Sequence, residues 1–162
     1  MKVTLNGIIT EAEMSITGIR ASNRADLPGR RENRIIIAGS RDFTDYEKAE
    51  KALFEAFRSI DIIGPVRIVS GHCRGADLLG EEFAARFSLK LSVFPAKWKV
   101  YGKSAGFVRN NEMARFAGSD DCQADLIAFW DGKSRGTKMM IDIARKKGIR
   151  VHAFDLNGKA YG

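Results

Sequence analysis

Hydrophobic positions between residues 34 and 154 alternate between two kinds of segment. Short runs that are apolar at nearly every position, such as RIIIA (34–38), read as strands buried on both faces. Longer segments with apolar residues every three or four positions read as helices with one buried side. In TDYEKAEKALFEAFRSI those positions are Ala49, Ala52, Leu53, Ala56, Phe57 and Ile60. Thr44 and Glu47 have the spacing of a capping box, and Gly64-Pro65 breaks the chain afterwards. The cycle continues with strands at 66–70 (VRIVS), 89–96 (LKLSVFPA), 124–130 (ADLIAFW) and 149–154 (IRVHAF). Between them lie GADLLGEEFAARFS, with Leu79, Phe83 and Phe87 on one side, and SAGFVRNNEMARFA, helical in its second half. RGTKMMIDIARKK is the last helix, with Lys146 and Lys147 in its final turn and Gly148 as its cap.

Parallel neighbours need crossovers, and helices supply them. The alternation therefore predicts an α/β, Rossmann-like, doubly wound domain of about five parallel strands with helices on both faces. Residues 1–33 stand outside this rhythm as an N-terminal extension and linker. Its first part could form an edge strand, a hairpin around Asn6-Gly7, or a dimer contact. The domain proper is 34–162, and 155–162 read as a tail. Trp130 and the phenylalanines and methionines at helical spacing are assigned to packing.

Composition narrows the class. A chain of 162 residues suits one domain. No run approaches the roughly 18 apolar residues of a membrane span, and no secretion signal opens the chain. Cys73 and Cys122 make no disulfide framework and fit a reducing cytoplasm. His72 and His152 have no metal-ligand spacing, so no metal is expected. The net charge of +7 is compatible with nucleic acid, an anionic small ligand, or solubility alone.

Where the cations fall decides among these. In such folds the loops after the strands share one edge of the sheet, where ligands bind. The first carries Gly39, Ser40 and Arg41, and the second Ser70, Gly71, Arg74, Gly75 and Asp77. The third carries Trp98, Tyr101, Gly102, Arg109 and Asn110, and the fourth Asp131, Gly132, Ser134, Arg135, Gly136 and Thr137. Each loop combines glycine, a hydroxyl or amide, and arginine. Glycine permits close backbone approach, helix N-termini favour anions, and arginine grips phosphate oxygens. Four such loops on one edge predict an anion site, with Arg41 and Arg135 converging on one anion. Trp98 and Tyr101, in a long polar loop, could stack on a base as a movable wall. Two familiar motifs fail. GKS at 102–104 lacks the earlier P-loop glycine, since Lys97 stands there, and no G-x-G-x-x-G follows the first strand.

Together IIIAGSRDF, IVSGHCRGAD, FPAKWKVYGKSAGFVRNNEM and ADLIAFWDGKSRGT resemble the YspA/YpsA-like branch of the SLOG (Smf/DprA-LOG) superfamily, over about residues 34–154. The resemblance implies a Rossmann-like protein, bacterial or phage, that binds nucleotides or nucleotide-derived ligands through the loop residues just named. Relatives in the superfamily include ligand sensors, a DNA-binding recombination mediator, and hydrolases that release a base from a nucleoside monophosphate. LOG-type hydrolases use PGGxGTxxE. Placing Gly136-Thr137 on its Gly-Thr puts Met140 at the glutamate position.

Three readings follow. The first is binding or sensing of a nucleotide-derived phosphorylated ligand, with no required cofactor. The second is hydrolysis of an N-glycosidic or phosphate bond, for which Asp77, Glu112 and Asp131 are the weak catalytic candidates. The third is nucleic-acid binding. A membrane partner is not expected, and a homo-oligomer is compatible with the sequence.

Overall fold

The computed structural model describes residues 31–161, so most of the expected N-terminal extension lies outside the described residues. The elements are β1 (Asn33–Gly39), α1 (Tyr46–Arg58), β2 (Val66–Ser70), α2 (Ala76–Arg86) and β3 (Lys90–Val93). Next come α3 (Trp98–Tyr101), a 3-10 turn (Gly102–Ser104), α4 (Ala105–Ala117), β4 (Gln123–Phe129), α5 (Arg135–Lys146) and β5 (Arg150–Phe154). The strands form one five-stranded sheet, all parallel, in the order β3-β2-β1-β4-β5. From β1 the chain winds outward to β3, then crosses back to lay β4 on the other side of β1. The order reverses between β1 and β4.

Side-chain alternation sends β1 into two cores at once. Ile35 and Ile37 pack with Leu53 and Phe57 of α1 and Phe83 of α2. Ile36 and Ala38 pack with Met113 and Ala114 of α4 and Met140, Ile141 and Ala144 of α5. This explains why the strand is apolar at successive positions. Each fully buried isoleucine contributes about 1.5–3 kcal/mol.

Several elements differ from the sequence expectation. Helix α1 starts at Tyr46, and its cap is Asp45, whose Oδ1 accepts from Lys48 N at 3.2 Å. Thr44 is exposed and makes no cap. The stretch expected as a long loop before α4 is helical at Trp98–Tyr101, and α4 runs its whole length from Ala105. Strand β3 spans only Lys90–Val93, with Leu91 and Val93 exposed, because it is a sheet edge. The expected tail folds back instead. A turn at Asn157-Gly158 lets Ala160 bridge Phe154 in antiparallel fashion, and Tyr161 N donates to Ala153 O at 2.9 Å. Tyr161 Oη then donates to Trp130 O at 2.7 Å, tying the segment to the end of β4. His152 Nε2 lies 2.8 Å from Oδ2 of the fully buried Asp125, and Arg150 Nε lies 3.4 Å from the same oxygen.

Candidate functional site

The carboxyl ends of β1 and β4 are tied together before either loop begins. Ser40 N donates to Phe129 O at 2.8 Å, and Ala76 N at the start of α2 donates to Ser40 O at 3.1 Å. This approach requires Gly75. Its φ is +84°, and an added Cβ would strike the Ser40 carbonyl oxygen. The loop after β4 is held from within. Asp131 Oδ1 accepts from Lys133 N at 2.8 Å and Ser134 N at 2.7 Å around Gly132, whose φ is +80°. The Ser134 hydroxyl accepts from Thr137 N at 3.4 Å and so caps α5. Trp130, half-buried rather than fully in the core, donates from Nε1 to Ser134 O at 3.1 Å and clamps the loop from behind.

Between these loops opens a cleft of about 640 Å³. Small-molecule sites span roughly 300–1,000 Å³, and this cleft lies within that range. Five cations line it: Arg41, Arg74, Lys103, Arg109 and Lys133. Three carboxylates do so as well, Asp42, Asp77 and Asp131. Trp98, 51% exposed, and Phe107, 54% exposed, stand on the α3–α4 side, and Met113 and Met140 close the bottom with Asn110.

The cleft floor differs in character from its rim. Arg109 is buried; its Nη1 donates to Gly71 O, its Nε donates to Asn110 Oδ1 at 2.9 Å, and Cys73 Sγ lies 3.6 Å from its Nη2. Gly71 is obligatory here, since a Cβ would collide with the guanidinium and with the Asp77 carboxyl. Asp77 is 5% exposed and accepts from Cys73 N at 3.2 Å. Burial pushes its carboxyl up to about 6, against backbone N–H bonds and the Arg109 charge that pull the other way. Asp131 is the opposite case. The N–H groups of Ser134 and Lys133 hold it below the ordinary carboxylate range.

Of the residues expected at the site, Gly39, Ser40, Arg41, Arg74, Asp77 and Trp98 line the cleft, as do Arg109, Asn110, Asp131, Ser134, Gly136 and Thr137. Ser70, Gly71, Gly75, Tyr101, Gly102, Gly132 and Arg135 are not part of its lining. Ser70 is fully buried and donates to Glu81 Oε2 at 2.9 Å. Glu112 is likewise absent from the lining. Arg41 and Arg135 follow neighbouring strands, but it is Lys133, not Arg135, that joins Arg41 around the cleft. Lys103, Lys133, Cys73 and Phe107 line the cleft as well. The lysines sit inside the glycine-rich loops, which is their signal in the sequence. Phe107 has none beyond its position one turn into α4.

The model of the family described as "YspA, cpYpsA-related SLOG family" matches residues 33–101. The Gene 61 protein of Mycobacterium phage D29 is 36% identical over 126 residues, covering 75% of this chain and 95% of that protein. No solved structure matches the chain significantly. Among the described residues, no helix is long and apolar enough to cross a membrane.

Proposed function

Because the chain belongs to the YspA, cpYpsA-related SLOG family, we propose that it binds a nucleotide-derived, phosphorylated small molecule in the cleft between β1 and β4. The observation that carries this is the gathering of Arg41, Arg74, Lys103, Arg109 and Lys133 at the point where strand order reverses. Parallel α/β sheets bind ligands there because the helix N-termini converge on it. An aromatic wall at Trp98 and Phe107 supplies a surface for a base.

The geometry favours binding over turnover. Hydrolysis of a glycosidic bond uses a pair of carboxylates flanking that bond. Asp131 is committed to two backbone N–H groups, and Glu112 does not line the cleft. Met140, at the position of the LOG-type glutamate, lines the cleft with a side chain that transfers no proton. A nucleic-acid interface is disfavoured for a related reason: the site's cations are gathered in a cleft rather than spread along a face.

Native mass spectrometry of the purified protein, followed by chromatography of what it releases, tests the reading. The expected result is a bound phosphorylated nucleotide derivative, and AMP, ADP or ADP-ribose added to the stripped protein is recovered intact. Release of free base over many turnovers would replace binding with hydrolysis. No bound molecule and no measurable affinity for any of these probes would overturn the proposal.

A further inference from the structure

The cleft is divided by charge. Arg41, Arg74, Lys103 and Lys133 are exposed on its rim, whereas Asp77 is buried on its floor. A phosphate placed against a buried carboxylate would meet a second anion in a poorly screened setting. The phosphate therefore belongs at the rim, and the floor must receive a part of the ligand that donates hydrogen bonds. We propose that Asp77 accepts the 2′- and 3′-hydroxyls of the ligand's ribose, so that the cleft selects nucleotides that carry this diol over those that lack it. This rests on the nucleotide reading above and adds the sugar to it.

Elimination and connectivity both point to this residue. Of the three carboxylates in the cleft, Asp131 has Oδ1 consumed by its own loop. Asp42 is exposed and lies 3.9 Å from the Arg74 guanidinium. Among the described residues Asp77 makes no ion pair within 4.0 Å, and only backbone N–H groups bond to it, those of Cys73 at 3.2 Å and of Gly39. An ionised carboxylate offers about four acceptor positions, so it has capacity for a diol. In any nucleotide the ribose lies between base and phosphate. Trp98 and Phe107 are exposed at the mouth, as the rim cations are, so base and phosphate both lie there and the sugar that joins them is the part left to face the floor. Arg109 does not compete for the hydroxyls as an acceptor, because a guanidinium only donates.

Isothermal titration of the full chain with AMP and with 2′,3′-dideoxy-AMP tests the assignment, with inorganic phosphate as a third probe. Charge-assisted hydrogen bonds predict that the dideoxy compound binds about 10–100-fold more weakly. In Asp77→Asn the ratio should fall below about threefold, with affinity for the dideoxy compound retained. Retained affinity also shows that the variant is folded, and its melting curve provides a second check. Should the variant fail to fold, the ratio in the unaltered chain still decides. Equal affinities for the two nucleotides there would overturn the diol assignment and leave the nucleotide reading standing. So would a ratio unchanged in Asp77→Asn. Binding of AMP no tighter than inorganic phosphate, or no binding of any probe, would overturn both.

Discussion

Burial holds the Asp77 carboxyl at about 6, so the folded chain keeps that proton more tightly than the unfolded chain does. Stability then falls as pH rises from about 4 to about 6, and the cost is fully present above that window. A shift of about two units corresponds to at most about 3 kcal/mol. Asn at this position keeps an oxygen for Cys73 N and carries no charge. Asp77→Asn should therefore raise the melting midpoint of the ligand-free protein by a few degrees at pH 7.5 and leave it unchanged near pH 4. Thermal denaturation followed by circular dichroism at both pH values measures this. A lower midpoint at pH 7.5 would show that the charge stabilises the fold through Arg109 instead. A gain at neutral pH, coupled to lost ribose discrimination, is the behaviour of a group retained for binding at the expense of stability.

At the scale of elements, helix starts decide which side chains reach the cleft. α5 begins at Arg135, with Ser134 as its cap. Lys133, just before that cap, lines the cleft, while Arg135, two residues on, does not. Of the two aromatics of α3, Trp98 lines the cleft and Tyr101 does not. The cap of α1 makes an independent test of how such starts are chosen. Asp45→Ala removes the bond to Lys48 N and should cost about 1 kcal/mol, whereas Thr44→Ala should cost close to nothing. Urea denaturation of the two variants separates these outcomes, and the reverse order would restore Thr44 as the cap. Ligand affinity should be unaffected in both, since neither residue lines the cleft.

For the whole molecule, the net charge of +7 matters less than its distribution. Several cations are committed to structural pairs at the amino-terminal end of the strands, away from the cleft. Arg34 and Arg67 share Glu32, and burial of that carboxylate is more than offset by their hydrogen bonds, which hold it below its ordinary range. A mononucleotide held in the cleft meets only the few cations that line its rim, Arg41, Arg74, Lys103 and Lys133. Binding of AMP should therefore weaken by less than about tenfold between roughly 50 and 200 mM salt, where a protein making 6–10 phosphate contacts loses about 10³–10⁵. Titration at three salt concentrations gives the slope. A steep slope, or oligonucleotides competing far better than AMP, would move the function to nucleic acid.

The sequence by itself determined the α/β class, the five strands and the edge on which the glycine- and arginine-bearing loops gather. Those features are carried by local patterns: runs such as IIIA must be buried on both faces, and helices with one apolar side must cover them. It also marked most of the cleft, because glycine, hydroxyl and arginine recur after each strand on one edge. Strand order, the place of reversal between β1 and β4, and the return of Tyr161 onto Trp130 depend on pairings distant in sequence. Only the tertiary structure decided these, and with them the choice of Lys133 over Arg135 and the burial of Asp77 beside Arg109. The physical reason is that a side chain's direction is set by where its helix starts, and its desolvation by what other elements bring against it. Neither is encoded within the few residues around it.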